Sequence, residues 1–313
     1  MSAGANRSAA PGRVGAGRYA PSPTSALHVG NLRTAVLAWL FARSTGRAFR
    51  LRIEDLDQQR SADPGIRTGQ LADLEALGLD FDPPVVVQSE RLDAYQAAIS
   101  RLAPITYECF CSRREIREAA AAPHGAIARY PGTCRDLTKA RRAERRAVRP
   151  PALRVRADGV RQQVTDLLRG EVAGEVDDFV IMRNDGVVAY NLAVVVDDAA
   201  MGIDQVVRGD DLLVAAPGHA WLAGQLGSAP PEYAHVPLAV NPDGRRLAKR
   251  AGDITLAELA GRGLGADRVL SIMASSLGLA GPGEPITLPQ LLHRFSPDLL
   301  PCTAWIVPAD LGQ

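Results

Sequence analysis

No apolar run in this 313-residue chain approaches the length of a bilayer-spanning helix, so no helical membrane span is expected. Cysteine is scarce: four residues, three of them between Cys109 and Cys134, are a poor basis for a disulfide framework. A reduced, cytoplasmic setting is expected instead. An excess of charge of one sign is missing too. The formal net charge is +1, which excludes a global electrostatic attraction to nucleic acid. The Ala/Gly/Ser-rich stretch Met1–Gly17 has scattered arginines but no continuous apolar core, and it reads as a disordered extension, not a signal peptide. Internal repeats are absent, as is any low-complexity tract beyond that extension.

What remains is ordinary globular material: 46% hydrophobic and 23% charged residues, enough for one large domain or two of average size. Arg18–Ala20 reads as a short strand. Leu32, Val36, Leu37, Leu40 and Phe41 recur at helical spacing and give a helix to Ser44 one apolar face. Phe49–Ile53 alternates like a strand. Strand, helix and strand within about forty residues make the βαβ unit of a parallel nucleotide-binding sheet. Helices are predicted over Asp63–Leu77, Arg91–Leu102, Pro217–Leu226, Leu256–Leu259, Arg268–Leu277 and Leu288–Phe295. Strands are predicted over Val85–Gln88, Phe179–Arg183, Ala189–Val196 and His235–Val240. Between Glu108 and about Arg149 the pattern breaks into a Cys-bearing, Ala/Arg-rich insertion.

Four groups of residues carry chemistry. His28, with Gly30 and Asn31, stands just before a helix, where backbone N–H groups and the helix dipole favour phosphate. Taken alone, it is more often a cap with a surface histidine. Lys249, flanked by Arg245, Arg246 and Arg250, can neutralise charge growing on a leaving pyrophosphate; alone, it reads as a solvated basic turn. Arg18, Glu54, Tyr190 and Arg208 lie at or beside predicted strand ends, where open α/β sheets bind ligands. Two arginines and one carboxylate suit an amino acid with an extra acidic group, although each residue singly could be a surface ion pair. Cys109, Cys111 and Cys134, around the Pro131-Gly132 turn, resemble a zinc knuckle short of one ligand. Tyr130 is an unusual fourth donor and His124 the conventional one; three thiols without metal are the plain alternative. Cys302 stands apart and reads as a small core residue. The seven cations of residues 135–149 suit phosphates or a solvated helix face equally well.

The ordered pair around His28 and Lys249 resembles the HIGH and KMSKS signatures of class I aminoacyl-tRNA synthetases. Arg18–Thr24, Leu27–Asn31, Leu51–Asp57, Ala189–Asp198 and Val207–Asp211 resemble, in order and spacing, the catalytic domains of glutamyl-tRNA synthetases. The similarity runs from Arg18 to Ile254. Only about sixty residues follow the lysine loop, which is expected to leave no anticodon-binding domain and makes the chain similar to the short branch of that family, the glutamyl-Q tRNA(Asp) synthetases.

That resemblance implies a Rossmann-like class I catalytic domain with a parallel sheet, a zinc-bearing insertion and a short helical C-terminal region. The expected divisions are an extension (1–17), a first catalytic half (18–107), the insertion (108–175), a second half with the lysine loop (176–253) and a helical region (254–313). It also implies a ligase that activates L-glutamate with ATP and Mg²⁺, then esterifies it onto queuosine in the anticodon loop of tRNA(Asp). Glutamate would be held by Arg18, Tyr19, Ala20, Pro21, Ser22, Glu54, Tyr190 and Arg208. ATP would be held by His28, Gly30, Asn31, Arg246 and Lys249, with His28 and Lys249 catalytic. One structural Zn²⁺ would be bound by Cys109, Cys111, Tyr130 and Cys134. A cytoplasmic monomer without membrane contact is expected. Asn31 replaces the second histidine of the first signature, and Arg246 and Ala248 replace a lysine and a serine of the second. Two other readings stay open: a minimal glutamyl-tRNA synthetase charging the 3′ end of tRNA(Glu), and a catalytically silent tRNA- or nucleotide-binding module.

Overall fold

The structure, a computed structural model, describes residues 15–119, 129–247, 254–308 and 311. It opens with the βαβ unit that the spacing predicts: β1 (Ala16–Tyr19), α1 (Val29–Ser44) and β2 (Ala48–Ile53), with β1 parallel to β2. The strand begins before Arg18. Ala16 is buried, so the last residues assigned to the extension belong to the sheet. α2 (Pro64–Ala76) starts at Asp63, whose carboxylate accepts from Gly65 N, with proline at the first helical position. It returns the chain to β3 (Val86–Val87), parallel to β2, and α3 (Leu92–Leu102) follows.

The middle of the chain departs most from expectation. β4 (Thr106–Cys109) is followed by α4 (Arg113–Ala119), α5 (Lys139–Val148) and β5 (Ala152–Val155). A hairpin comes next, β6 (Arg161–Asp166) and β7 (Gly170–Glu175), and then β8 (Val180–Met182). β4, β5 and β8 form a separate antiparallel sheet. The hairpin, placed with the insertion on sequence grounds, turns back to the main sheet: Leu167 N donates to Tyr233 O at 2.7 Å. Its strands alternate weakly and are largely exposed, so they leave little hydrophobic signal.

The segment Ala189–Val196, predicted as a strand, is the start of helix α6 (Tyr190–Ala200). Its β-branched run suggested a sheet. Its helical spacing instead buries Leu192, Ala193, Val194 and Val195 and directs Asp198 to the buried Arg52 and Asp197 to the half-buried Arg91. β9 (Gln205–Gly209), α7 (Ala216–Gln225) and β10 (Glu232–Val236) then add a second parallel pair. β1 runs beside β9, and its first residue, Ala16, bridges Ile203 just before β9 and accepts from Asp204 N at 3.1 Å. The sheet order therefore reverses between β1 and β9, and open α/β sheets hold ligands at such a switch.

Residues 235–240 are not one strand: β10 ends at Val236, and β11 (Ala239–Val240) pairs with β12 (Trp305–Ile306). The C-terminal helices α8 (Leu256–Gly261), α9 (Ala266–Ser276) and α10 (Leu288–Arg294) cover the outer side of α1. α1 is consequently buried all round from Ala35 to Ala42, not on one face. Phe41 meets Phe295 edge-on at 5.0 Å. Arg33, buried at mid-helix, donates to Pro237 O and Ser276 Oγ, both at 2.9 Å. Cys302, expected in the core, is exposed.

Candidate active site

The cleft at the β1/β9 switch has a volume of about 670 Å³. Its lining includes Arg18, Tyr19, Ala20, Pro21, Ser22, His28, Gly30, Asn31, Glu54, Tyr190, Arg208 and Arg246. Residues from five separated stretches of sequence thus share one cavity. Lys249 falls in 248–253, outside the described residues. The residues on either side of it are described. Leu247 lines the cleft, and Ile254 O accepts from Val29 N at 2.9 Å, one residue from His28.

At the outer end, His28 is the N-cap of α1. Its Nδ1 accepts from Gly30 N (3.1 Å) and Asn31 N (3.2 Å), while Asn31 Oδ1 accepts from His28 N at 3.3 Å. The helix begins at Val29, three residues earlier than its apolar spacing suggested, so these N–H groups serve the cap. A phosphate contact from His28 would come through Nε2. Gly30 sits in a tight space: a Cβ there would lie 3.0 Å from Ala239 Cβ and from the His28 ring, so these neighbours would have to shift. Arg246 donates to Asp211 Oδ2 at 2.9 Å, yet its side chain is 68% exposed.

The inner end is built from buried charge. Arg52, completely buried, donates to Asp198 Oδ1 (2.6 Å) and Glu54 Oε1 (2.9 Å). Asp198 also faces Arg18 Nε at 3.4 Å, and Arg18 Nη1 donates to Val207 O at 3.1 Å. Asp197 accepts from Arg91, Gln88 and Tyr95. Burial raises the Glu54 carboxyl above its ordinary value, against the opposing pull of Arg52 and Arg18. Asp198 moves the other way: burial alone would raise it, but Arg52 and Arg18 hold it below the usual range. Among the described residues Arg208 hydrogen-bonds to neutral groups, His235 Nε2 (3.0 Å), His219 Nδ1 (3.1 Å) and Leu212 O (3.2 Å). Tyr190 stands 40% exposed at the mouth, its ring edge-on to His219 at 5.8 Å. The arrangement offers an acidic amino acid an arginine for its side chain and a carboxylate for its ammonium.

Residues 16–281 match the family model for tRNA synthetases class I (E and Q), catalytic domain. The chain belongs to this family. It is 58% identical over 301 residues to the glutamyl-Q tRNA(Asp) synthetase of Nocardia farcinica, covering 95% of this chain and 94% of that one. To the glutamyl-Q tRNA(Asp) synthetase of Symbiobacterium thermophilum it is 43% identical over 311 residues, 94% and 96% of the two chains. The glutamate-tRNA synthetase of Elizabethkingia anophelis shares the fold, with a TM-score of 0.79 over 96% of this chain and 69% of that chain at 24% identity.

This class I synthetase chain carries a second constellation on the β4–β5–β8 sheet. The Sγ atoms of Cys109, Cys111 and Cys134 all lie within 4.8 Å of one another, and Cys111 and Cys134 are 3.6 Å apart. Tetrahedral Zn–S bonds of about 2.3 Å separate sulfurs by roughly 3.8 Å, so the spacing fits zinc. Tyr130 Oη sits 3.4 Å from Cys109 Sγ and 3.9 Å from Cys111 Sγ, held by an N–H donated from Cys134 at 2.8 Å. Gly132 at φ +76° makes the reversal between Tyr130 and Cys134. Burial pushes Cys111 up to about 12, reinforced by Cys109. Burial opposes ionisation of Cys109 as well, but the Tyr130 hydroxyl and Arg154 bring it below its ordinary value. His124, the conventional alternative, lies outside the described residues.

Sequence reasoning missed the supporting residues of the synthetase cleft: Asp166, Asn191 and His219, and the ion-pair role of Asp197 and Asp198. Asp197 and Asp198 carried a signal, being adjacent acids after an apolar run. Asp166 and His219 carried none.

Proposed function

We propose that this chain activates L-glutamate with ATP and transfers the glutamyl group to queuosine in the anticodon loop of tRNA(Asp). The observation that carries the activation step is the single cleft that Arg18, Glu54 and Arg208 share with His28, Gly30 and Arg246. The names of the relatives, at 58% identity over nearly the whole chain, support the choice of tRNA(Asp).

In the first step a glutamate carboxylate oxygen attacks the α-phosphorus of ATP, and pyrophosphate leaves. A queuosine hydroxyl then attacks the acyl carbon, and AMP leaves. The protein acts by positioning and by charge, without a covalent nucleophile. Arg208 and Arg18 hold the side-chain carboxylate, Glu54 the ammonium, and Tyr190, beside Tyr19–Ser22, closes the amino-acid side. His28, Asn31, Arg246 and Lys249 meet the phosphates, and Gly30 permits their close approach. Mg²⁺ accompanies ATP and shields its phosphate charge. Glutamate-dependent ATP–pyrophosphate exchange is expected without tRNA, and its absence would reject the reading. Labelled glutamate should map by nuclease digestion to the anticodon loop, and only in tRNA(Asp) carrying queuosine. Label on the terminal adenosine would instead favour 3′-end charging.

Cys109, Cys111, Tyr130 and Cys134 would hold one structural Zn²⁺, a charge centre tying β4 to the turn at Gly132. Elemental analysis should find about one zinc per chain, falling to near zero in Cys134→Ala. An equal metal content in both proteins would remove the site.

A further inference from the structure

Arg208 differs from its neighbours in the company it keeps. Arg18, Arg52 and Arg91 face Glu54, Asp197 and Asp198, three cations against three carboxylates. Arg246 faces Asp211. Among the described residues Arg208 makes no ion pair: three of its N–H groups go to two imidazole nitrogens and a carbonyl. An arginine has five N–H donors, so two remain for a ligand.

The hydrogen bonds fix both ring tautomers. Asp166 Oδ2 accepts from His235 N at 3.0 Å and lies 2.6 Å from His235 Nδ1. A carboxylate only accepts, so Nδ1 carries the proton and Nε2 presents a lone pair to Arg208 Nε. Arg208 only donates, so His219 Nδ1 accepts, and its Nε2–H donates to Asn191 Oδ1 at 3.0 Å. Protonating either ring at its Arg208-facing nitrogen would set N–H against N–H. Burial, followed by Arg208 and Arg18, keeps His219 well below its ordinary value. Burial and Arg208 also lower His235, against the pull of Asp166 and Asp210. The Tyr233 ring stacks on His235 at 5.7 Å and lies 5.3 Å from the Arg208 guanidinium, closing this face with aromatic carbon.

We propose that Asp166, His235 and His219 are positioning residues for substrate selection, which hold Arg208 through uncharged acceptors so that its charge meets the second carboxylate of the substrate. The cleft then selects an amino acid with an acidic side chain over its amide, because an amide leaves that charge unmatched. This inference rests on the glutamate-activation reading.

The test is ATP–pyrophosphate exchange with glutamate and with glutamine. Asp166→Asn presents an amide N–H to His235, reverses the tautomer and sets Nε2–H against Arg208. The glutamate KM should rise about 10- to 100-fold and the glutamate-over-glutamine preference should fall, with the ATP KM changed less than about threefold. Adding His235→Gln to Asp166→Asn, so that an amide oxygen reaches the Nε2 position, should recover most of the loss in the double variant. His219→Asn, which keeps an acceptor near Nδ1, should retain the glutamate KM that His219→Leu raises. Should Asp166→Asn fail to fold by thermal melting, the His219 pair decides. Unchanged glutamate KM in folded Asp166→Asn and His219→Leu would overturn the inference, as would equal rises in both KM values. Loss of exchange in the wild-type protein would strike at glutamate activation instead.

Discussion

The two ends of the cleft are held by different physics. At the inner end, Arg52 has no exposed side-chain surface and is fixed by Asp198 of α6 and by Glu54, the residue that follows β2. At the outer end, Arg246 is mostly in solvent and makes one ion pair among the described residues, while His28 Nδ1 accepts from the first turn of its own helix. On the proposed function, the inner end would discriminate an amino acid, which needs a fixed geometry. The outer end would handle a triphosphate, with contacts that can reform as the charge moves.

The comparison is broken most severely from inside. Asp198→Ala removes the carboxylate shared by Arg52 and Arg18 and leaves buried charge unmatched, a loss of about 3–5 kcal/mol. Urea unfolding should show it, and a change below about 1 kcal/mol would mean the network contributes little. Lys249→Ala should act on chemistry alone, lowering the exchange rate about 10²- to 10³-fold with little effect on stability or glutamate KM. An unaltered exchange rate would remove Lys249 from the chemistry, and no exchange in either protein would favour the catalytically silent reading.

Acidity separates the ends at intermediate size. Glu54 titrates above the ordinary carboxylate range because it is buried, and only its ionised form attracts an ammonium. As pH falls through that raised value the glutamate KM should climb about tenfold per pH unit, while the ATP KM stays level. Glu54→Gln should abolish the slope, so a slope that persists would assign it elsewhere. Arg246→Ala is the mildest change. An exposed pair is worth about 0–1 kcal/mol, so the ATP KM should rise less than about fivefold, and less again at high salt.

The outer end was legible in the sequence because its determinants are local. Pro21 to Asn31 is one continuous segment, and its His-x-Gly pattern announces a turn into a helix. The inner end was legible only as scattered charged residues. Arg18 and Asp198 are 180 positions apart, and nothing between them indicates that they meet. The same blindness to tertiary context turned α6 into a strand, since Val194, Val195 and Val196 favour sheets unless packing against neighbouring elements decides otherwise. The β6–β7 hairpin escaped because one side of it faces water. With it went Asp166, whose hydrogen bond to His235 spans 69 residues. The basic helix α5 was legible as a charged, exposed helix, which suits phosphates and solvent alike: its described side chains are largely exposed, and Arg146 is drawn to Glu108.

The position of Asp198 also has a consequence for synthesis. It lies in the second half of the chain, whereas Arg18 and Arg52 leave the ribosome long before it. A nascent chain that ends short of α6 holds His28 and its helix but lacks the carboxylate these two arginines share. Such a truncated product cannot bury β2 as the finished molecule does, so half a message yields no half-working catalyst.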